Sequence, residues 1–251
     1  MSIIRAVYRV LLISRINIFS WLRVQQILVG VFLSSVLYIA VFGLVLSRII
    51  DETYISFIIP GVLSIYSATL TTIPIGTLVH TAAGRSDRYL YALPIPRSSI
   101  IVSRIIVGIL IVLIASIISI ASYWILSRSF NPIYLLAIIP SIALTIAISM
   151  LYASLAFIIR DPLKYFTIVP PFSSLLIVLS TAYYPIHVFN ILPQFFIYII
   201  EYNPISISSE LGRLLIGIAS GDLIFKFIVL ILEIIVIMLV SGKITFRKLE
   251  F

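Results

Sequence analysis

Apolar runs long enough to cross a bilayer as helices, about 20 residues each, recur along this chain with only short polar breaks between them. No other feature constrains the fold as strongly. A chain of 251 residues that is 62% hydrophobic and only 10% charged, with a mean hydropathy of +1.24, is not an ordinary soluble domain. The runs predict an all-α integral membrane protein with six transmembrane helices, near residues 27–49, 54–83, 100–126, 132–159, 165–184 and 223–240. The chain reads as a single transmembrane domain over residues 1–251.

The remaining composition narrows the chemistry. Cysteine is absent, which excludes a disulfide framework and a thiolate metal site. The net charge of +8 does not point to nucleic acid, because the basic residues are dispersed between apolar runs, as membrane flanks are. His80 and His187 fall at opposite ends of the expected spans, so no shared metal site is expected. Neither a Gly-x-Ser-x-Gly elbow nor a His-Glu-x-x-His helix occurs, and no catalytic residue is assigned.

Residues 1–26 carry Arg5, Arg9, Arg15 and Arg23. At about 100° per residue these fall within roughly a 120° arc. They predict an amphipathic helix lying in the headgroup layer, with Trp21 at interface depth, rather than a cleaved signal. The second span carries Pro60-Gly61, Pro74 and Gly76 around Ser64, Ser67, Thr69, Thr71 and Thr72. Backbone groups freed by the prolines must be met by neighbouring helices or water, so this span is expected to face the bundle interior or a pathway. Those hydroxyls favour an amphipathic substrate over a bare ion. Tyr123-Trp124 closes the third span as an interface anchor.

Charge sets the expected orientation. Arg5, Arg9, Arg15, Arg23, Arg85, Arg88, Arg97, Arg104, Arg160, Lys164, Lys243, Arg247 and Lys248 cluster at one side of the six spans. The other side has Arg48, Arg128 and Arg213 beside Asp51, Glu52, Glu201, Glu210 and Asp222. The positive-inside rule then puts both termini in the cytoplasm. It puts there as well the island of residues 84–97, Gly-Arg-Ser-Asp-Arg-Tyr-Leu-Tyr-Ala-Leu-Pro-Ile-Pro-Arg. The island is too basic for lipid and is expected to form a brief helix, residues 86–93, stopped by Pro94 and Pro96. A compact basic helix between two spans suits the grip of a soluble partner.

Residues 185–222 form the longest polar-tolerant stretch, on the opposite side. Its apolar piece, residues 193–200, is too short to cross and is expected to dip into the surface or lie on it. Glu233 falls near the middle of the last span. A carboxylate there is costly unless paired, protonated or facing water. Two readings stay open: a polar or proton-linked group in a pathway, or a protonated glutamate holding the bundle through a hydroxyl on another helix. Lys226, seven residues earlier and about 10 Å along the axis, shares its face but is too far for a direct bond.

Ile59-Pro60-Gly61 opening the second span, the island ending Leu93-Pro94-Ile95-Pro96-Arg97, and the late series Tyr184-Pro185-Ile186, Leu192-Pro193, Asn203-Pro204 and Leu211-Gly212-Arg213 resemble the ABC-2 type permease family, the membrane subunits of ABC exporters. The resemblance implies a type V exporter-like permease fold, with residues 1–26 as the in-plane connecting helix. It implies that the island is a coupling helix docked on a nucleotide-binding subunit through Arg85, Asp87, Arg88, Tyr89, Leu90, Tyr91 and Leu93. Family members often carry a Glu about two turns before the proline matching Pro94; here Arg88 stands near that place, with Asp87 beside it. Residues 185–222 would be an external re-entrant region, with Tyr184, Pro185, Asn203 and Pro204 at an external gate.

The chain has no phosphate-cradling loop of its own: Gly242-Lys243-Ile244-Thr245 lacks the first glycine and interposes Ile244 before the hydroxyl. ATP and Mg would therefore be bound by the partner, in two copies, and two copies of this chain would surround a central pathway in the plasma membrane. The competing expectation is a membrane scaffold or assembly factor whose island docks some other cytoplasmic protein.

Overall fold

The computed structural model describes residues 13–15, 25–49, 54–82, 97–128 and 130–249. Ten α-helices can be followed there. Helix α1 (Gln25–Leu37) runs through a π-helical segment (Tyr38–Val45) into α2 (Leu46–Ile49). Helices α3 (Tyr54–Thr69) and α4 (Thr72–Ala82) are two parts of one span, broken at Leu70-Thr71. They are followed by α5 (Arg97–Ser127), then a 3-10 turn (Pro132–Ala137) leading into α6 (Ile138–Ile159), then α7 (Pro162–Val178). A second 3-10 turn (Ile186–Ile191) precedes α8 (Gln194–Glu201) and α9 (Pro204–Leu215), and α10 (Leu223–Leu249) closes the chain.

Four stretches are long and apolar enough to cross a membrane: Tyr54–His80, Ser98–Ser127, Pro132–Ile159 and Leu223–Thr245. Two more apolar helices are shorter, Val29–Val41 and Pro162–Val178. The expected in-plane helix over residues 1–26 lies outside the described residues, apart from 13–15 and 25–26. Of the island, residues 84–96 also lie outside them, and with them Arg85, Asp87, Arg88, Tyr89, Leu90, Tyr91 and Leu93.

The core forms around α3, which packs on α5, α6, α7 and α9. Its proline and serine content suits that central place. Ser67 Oγ donates to the Ser141 carbonyl at 2.7 Å and accepts from Thr145 Oγ1 at 3.0 Å. At the break that follows, the Ala68 carbonyl accepts from Tyr152 Oη on α6 (3.0 Å) and from Ser173 Oγ on α7 (2.9 Å). Neighbouring helices thus meet the backbone groups an interrupted span frees. The hydroxyls expected to face the interior or a pathway are held in this lattice, with Ser64, Ser67 and Thr71 buried. Tyr123 turns inward: its hydroxyl joins those of Tyr134 and Ser56 in a ring with spacings of 3.0–3.1 Å. Only its neighbour Trp124 keeps a rim position, donating from Nε1 to the Asn131 carbonyl.

Two boundaries differ from expectation. The last helix runs on to Leu249, past the expected end near residue 240. The fifth expected span, drawn to Tyr184, is helical only to Val178, and the chain then runs on without regular helix to Pro185. The cause of that early stop is the α8–α9 hairpin, which satisfies the carbonyls where α7 ends.

Candidate functional site

Pro60 sits inside α3 and has no N–H to return to the carbonyl one turn back, so the helix opens there. Gly61 follows it, and a Cβ at Gly61 would overlap the Ala182 carbonyl oxygen. The absent side chain is therefore what lets the linker after α7 lie against α3. On the other flank, a Cβ at Gly212 would come within 2.8 Å of Pro60 Cβ, so α9 also needs a glycine at its crossing with the kink. Three segments far apart in sequence meet at Pro60-Gly61.

Arg213 ties them together. It is 2% exposed, one residue past that crossing. Nε donates to the Phe57 carbonyl (3.0 Å), and Nη2 donates to the carbonyls of Thr181 (2.8 Å) and Ala182 (3.0 Å). The guanidinium also lies over the Phe57 ring, 3.6 Å from its centroid. Burial draws it below the usual arginine range to about 9, with the Glu210 carboxylate working against that fall, so it keeps its charge at neutral pH.

The hairpin is held at its other end by Asn203, the N-cap of α9. Its Oδ1 accepts from the Ile205 amide (2.9 Å), while Nδ2 donates to the Leu176 (2.8 Å) and Leu179 (2.6 Å) carbonyls. Pro204 occupies the first turn, where a missing N–H costs nothing. Between the ends, Ser206 Oγ accepts from the Thr181 amide (2.9 Å) and Ser208 Oγ pairs with Ser64 Oγ (2.9 Å). A serine-rich helix can therefore be buried almost throughout. Its apolar neighbour α8 is the exposed arm, with Phe195 and Tyr198 outward. That reverses what hydropathy suggests for residues 193–215.

Helix α9 runs antiparallel to α10. Lys226 pairs with Glu210 at 2.6 Å, and Leu230, seated against Ile207 and Leu211, lies one turn further along. At 1.5 Å per residue this register brings the start of α9 roughly level with Glu233, about 10 Å along the axis from Lys226. Among the described residues, Glu233 Oε2 is buried with no hydrogen-bond partner, and Lys226 is engaged elsewhere. Near the far end of α9, a cavity of about 280 Å³ is bounded by Phe57, Pro185, Glu210, Arg213, Phe225 and Lys226, among others.

The four residues expected at a gate divide into two places. Asn203 and Pro204 form the hairpin tip, with Asn203 buried, whereas Pro185 borders the cavity and Tyr184 beside it is 44% exposed. Sequence reasoning passed over the roles of Arg213, Glu210 and Lys226. The available signal was an arginine following Leu-Gly in a stretch otherwise free of cations, with Glu210 one turn earlier. No cluster of metal-ligating side chains occurs among the described residues.

Residues 8–216 match the family model of the ABC-2 type transporter. The match takes in Pro60-Gly61, the linker and the whole of α9, and stops before α10. No curated protein matches the chain. The matched span covers most of the sequence, and the resembling segments Ile59-Pro60-Gly61 and Leu211-Gly212-Arg213 meet in space at the buried arginine. The chain belongs to the ABC-2 type transporter family and is the multi-pass membrane component of an ABC transporter.

Proposed function

We propose that this chain is the permease subunit of an ATP-driven exporter in the plasma membrane, acting as a pair of copies with two copies of a separate nucleotide-binding subunit. The observation that carries the reading is the family match over residues 8–216, because that family works with an ATP-binding subunit. Six spans complete the permease: the four long stretches, the helical run Gln25–Ile49 and α7. Both termini and the basic island face the cytoplasm, where the excess of arginine and lysine lies.

Arg85, Asp87, Arg88, Tyr89, Leu90, Tyr91 and Leu93 form the contact with the ATPase, which carries ATP and Mg; this chain binds neither. The α8–α9 hairpin is the external re-entrant region. Asn203 and Pro204 set its depth, and Tyr184 and Pro185 form its outer rim. Glu233 supplies the polar group of the pathway, a role supported by its unpartnered buried oxygen. In that role Glu233→Gln lowers transport while leaving assembly intact; equal transport by both forms removes it from the pathway.

The test is to purify the tagged chain from its native membrane in mild detergent and assay the preparation for vanadate-sensitive ATPase. A stoichiometric ATPase is expected. Intact chain with no ATPase would move the reading to a scaffold. Arg88→Glu and Leu90→Asp should each uncouple ATP hydrolysis while the chain stays folded, and full coupling in both would displace the contact from the island.

A further inference from the structure

The cavity near the far end of α9 has a lining unusual for a hydrophobic bundle. Of its charged groups, Arg213 and Lys226 are cations and Glu210 and Asp222 are carboxylates, set among Phe57, Phe225 and other apolar side chains. Arg213 is fully buried, and its three hydrogen bonds run through Nε and Nη2, so its second amino group, Nη1, is used in none of them. Glu210 holds Lys226 with Oε2, while its Oε1 accepts only a long 3.3 Å bond from Thr181 Oγ1. Asp222 is committed to the start of α10, where Oδ1 accepts from the amides of Ile224 and Phe225. Two cationic groups and two carboxylates thus border the cavity with bonding capacity left, Asp222 through Oδ2 alone.

At about 280 Å³ the cavity greatly exceeds the roughly 10–15 Å³ that one water needs. Beside it α10 presents Ile224, Phe225, Phe227 and Ile228 outward, each about half exposed or more. This helix is long and apolar enough to cross the membrane, and its span is 6% buried, so an acyl chain can lie against it directly below the cavity.

We propose that this cavity is a binding site for a zwitterionic phosphoamine headgroup of the phosphoethanolamine type, carried by a membrane lipid. The phosphate lies between Arg213 Nη1 and Lys226 Nζ, and the amine donates to Glu210. The ion pair is thereby extended into an alternating ring of four charges. An anionic lipid lacking the amine leaves Glu210 Oε1 turned to the phosphate with no cationic donor between them, so the site discriminates by charge pattern and not by net charge. The acyl chains follow the exposed face of α10. This site goes beyond the transport reading and does not depend on which membrane face it occupies.

Native mass spectrometry of the purified full-length complex in detergent tests it. The probes are dioleoyl phosphatidylethanolamine, dioleoyl phosphatidylglycerol and soluble glycerophosphoethanolamine. Retention of the ethanolamine lipid is expected to exceed that of the glycerol lipid by about tenfold, the factor of one well-formed charge-assisted bond. The paired variant Glu210→Gln with Lys226→Met removes both charges together and should bring the ratio to about one. Ala219→Phe, in the exposed loop that borders the cavity, narrows it without touching the ion pair and should do the same. It carries the test if the paired variant does not fold. Equal retention of the two lipids by the wild type, or an unchanged preference in a folded variant, overturns the site. Displacement of the bound lipid by the soluble headgroup at equal concentration overturns the lipid as its source.

Discussion

Arg213 shows why one side chain can matter more than the charge it carries. Its fork meets the Phe57 carbonyl of α3, next to the Ser56 carbonyl that Pro60 cannot serve, and the Thr181 and Ala182 carbonyls of the linker after α7, which lie outside regular helix. A carbonyl buried without a donor costs about 1–3 kcal/mol. Arg213→Met strands the Thr181 and Ala182 carbonyls and takes a donor from Phe57, and should destabilise the fold by on the order of 3–5 kcal/mol, read by denaturant unfolding in detergent. Lysine keeps the charge but presents a point donor in place of a planar fork, so Arg213→Lys should recover little of that loss. Stability of the lysine variant within about 0.5 kcal/mol of wild type would mean the arginine acts as a charge alone. Gly61→Ala tests the same place from the other side: the added methyl meets the Ala182 carbonyl oxygen, which is backbone and cannot swing away. It should lower the yield of folded chain sharply, whereas Gly30→Ala, with open space around it, should not.

Among the elements, the α8–α9 hairpin decides how the end of the bundle is built, and it is where hydropathy was least informative. Long apolar runs announce spanning helices because lipid demands them locally, residue by residue. The depth of α9 rests on partners between 25 and 156 residues away: Thr181 for Ser206, Ser64 for Ser208 and Phe57 for Arg213. A window sliding over residues 204–215 sees serines and charges and reads surface. The proline and glycine positions were visible as a pattern, but their purpose as close-approach points at Pro60-Gly61 and Gly212 needs the third dimension. Asn203 makes the hairpin testable as a unit. Asn203→Ala removes the cap of α9 and both bonds to the end of α7, and should cost about 2 kcal/mol or more. Hydrogen exchange should rise in the amides of residues 179–182 and 205–209 together, while α6 stays protected. Faster exchange confined to residues 205 and 206 would mean the tip is only a local cap.

For the molecule as a whole, the unequal split of charge implies one orientation. The turn between α6 and α7 is built for a short basic crossing: Arg160 takes a left-handed conformation with φ of 55°, and Asp161 caps α7 from the Leu163 and Lys164 amides. At the other end, Gly217, with φ of +77°, turns the chain from α9 towards α10. If both termini are cytoplasmic, Leu163 lies inside and Ser220 outside. The natural absence of cysteine makes single-cysteine labelling clean. Leu163 is 79% exposed and Ser220 lies in an exposed turn, so cysteine at either position should be tolerated. A membrane-impermeant maleimide applied to intact cells should label Ser220→Cys and spare Leu163→Cys until the membrane is permeabilised. The reverse pattern would invert the protein, and the hairpin with its charged cavity would then face the cytoplasm beside the ATPase. Labelling of both residues from outside would break the count of spans, since α7 lies between them and they reach opposite faces only if it crosses. Because α7 has 17 residues with two internal prolines, about 25 Å of helix against a hydrocarbon thickness near 30 Å, the same labelling also decides whether its short reach is completed by the linker that Arg213 holds in place.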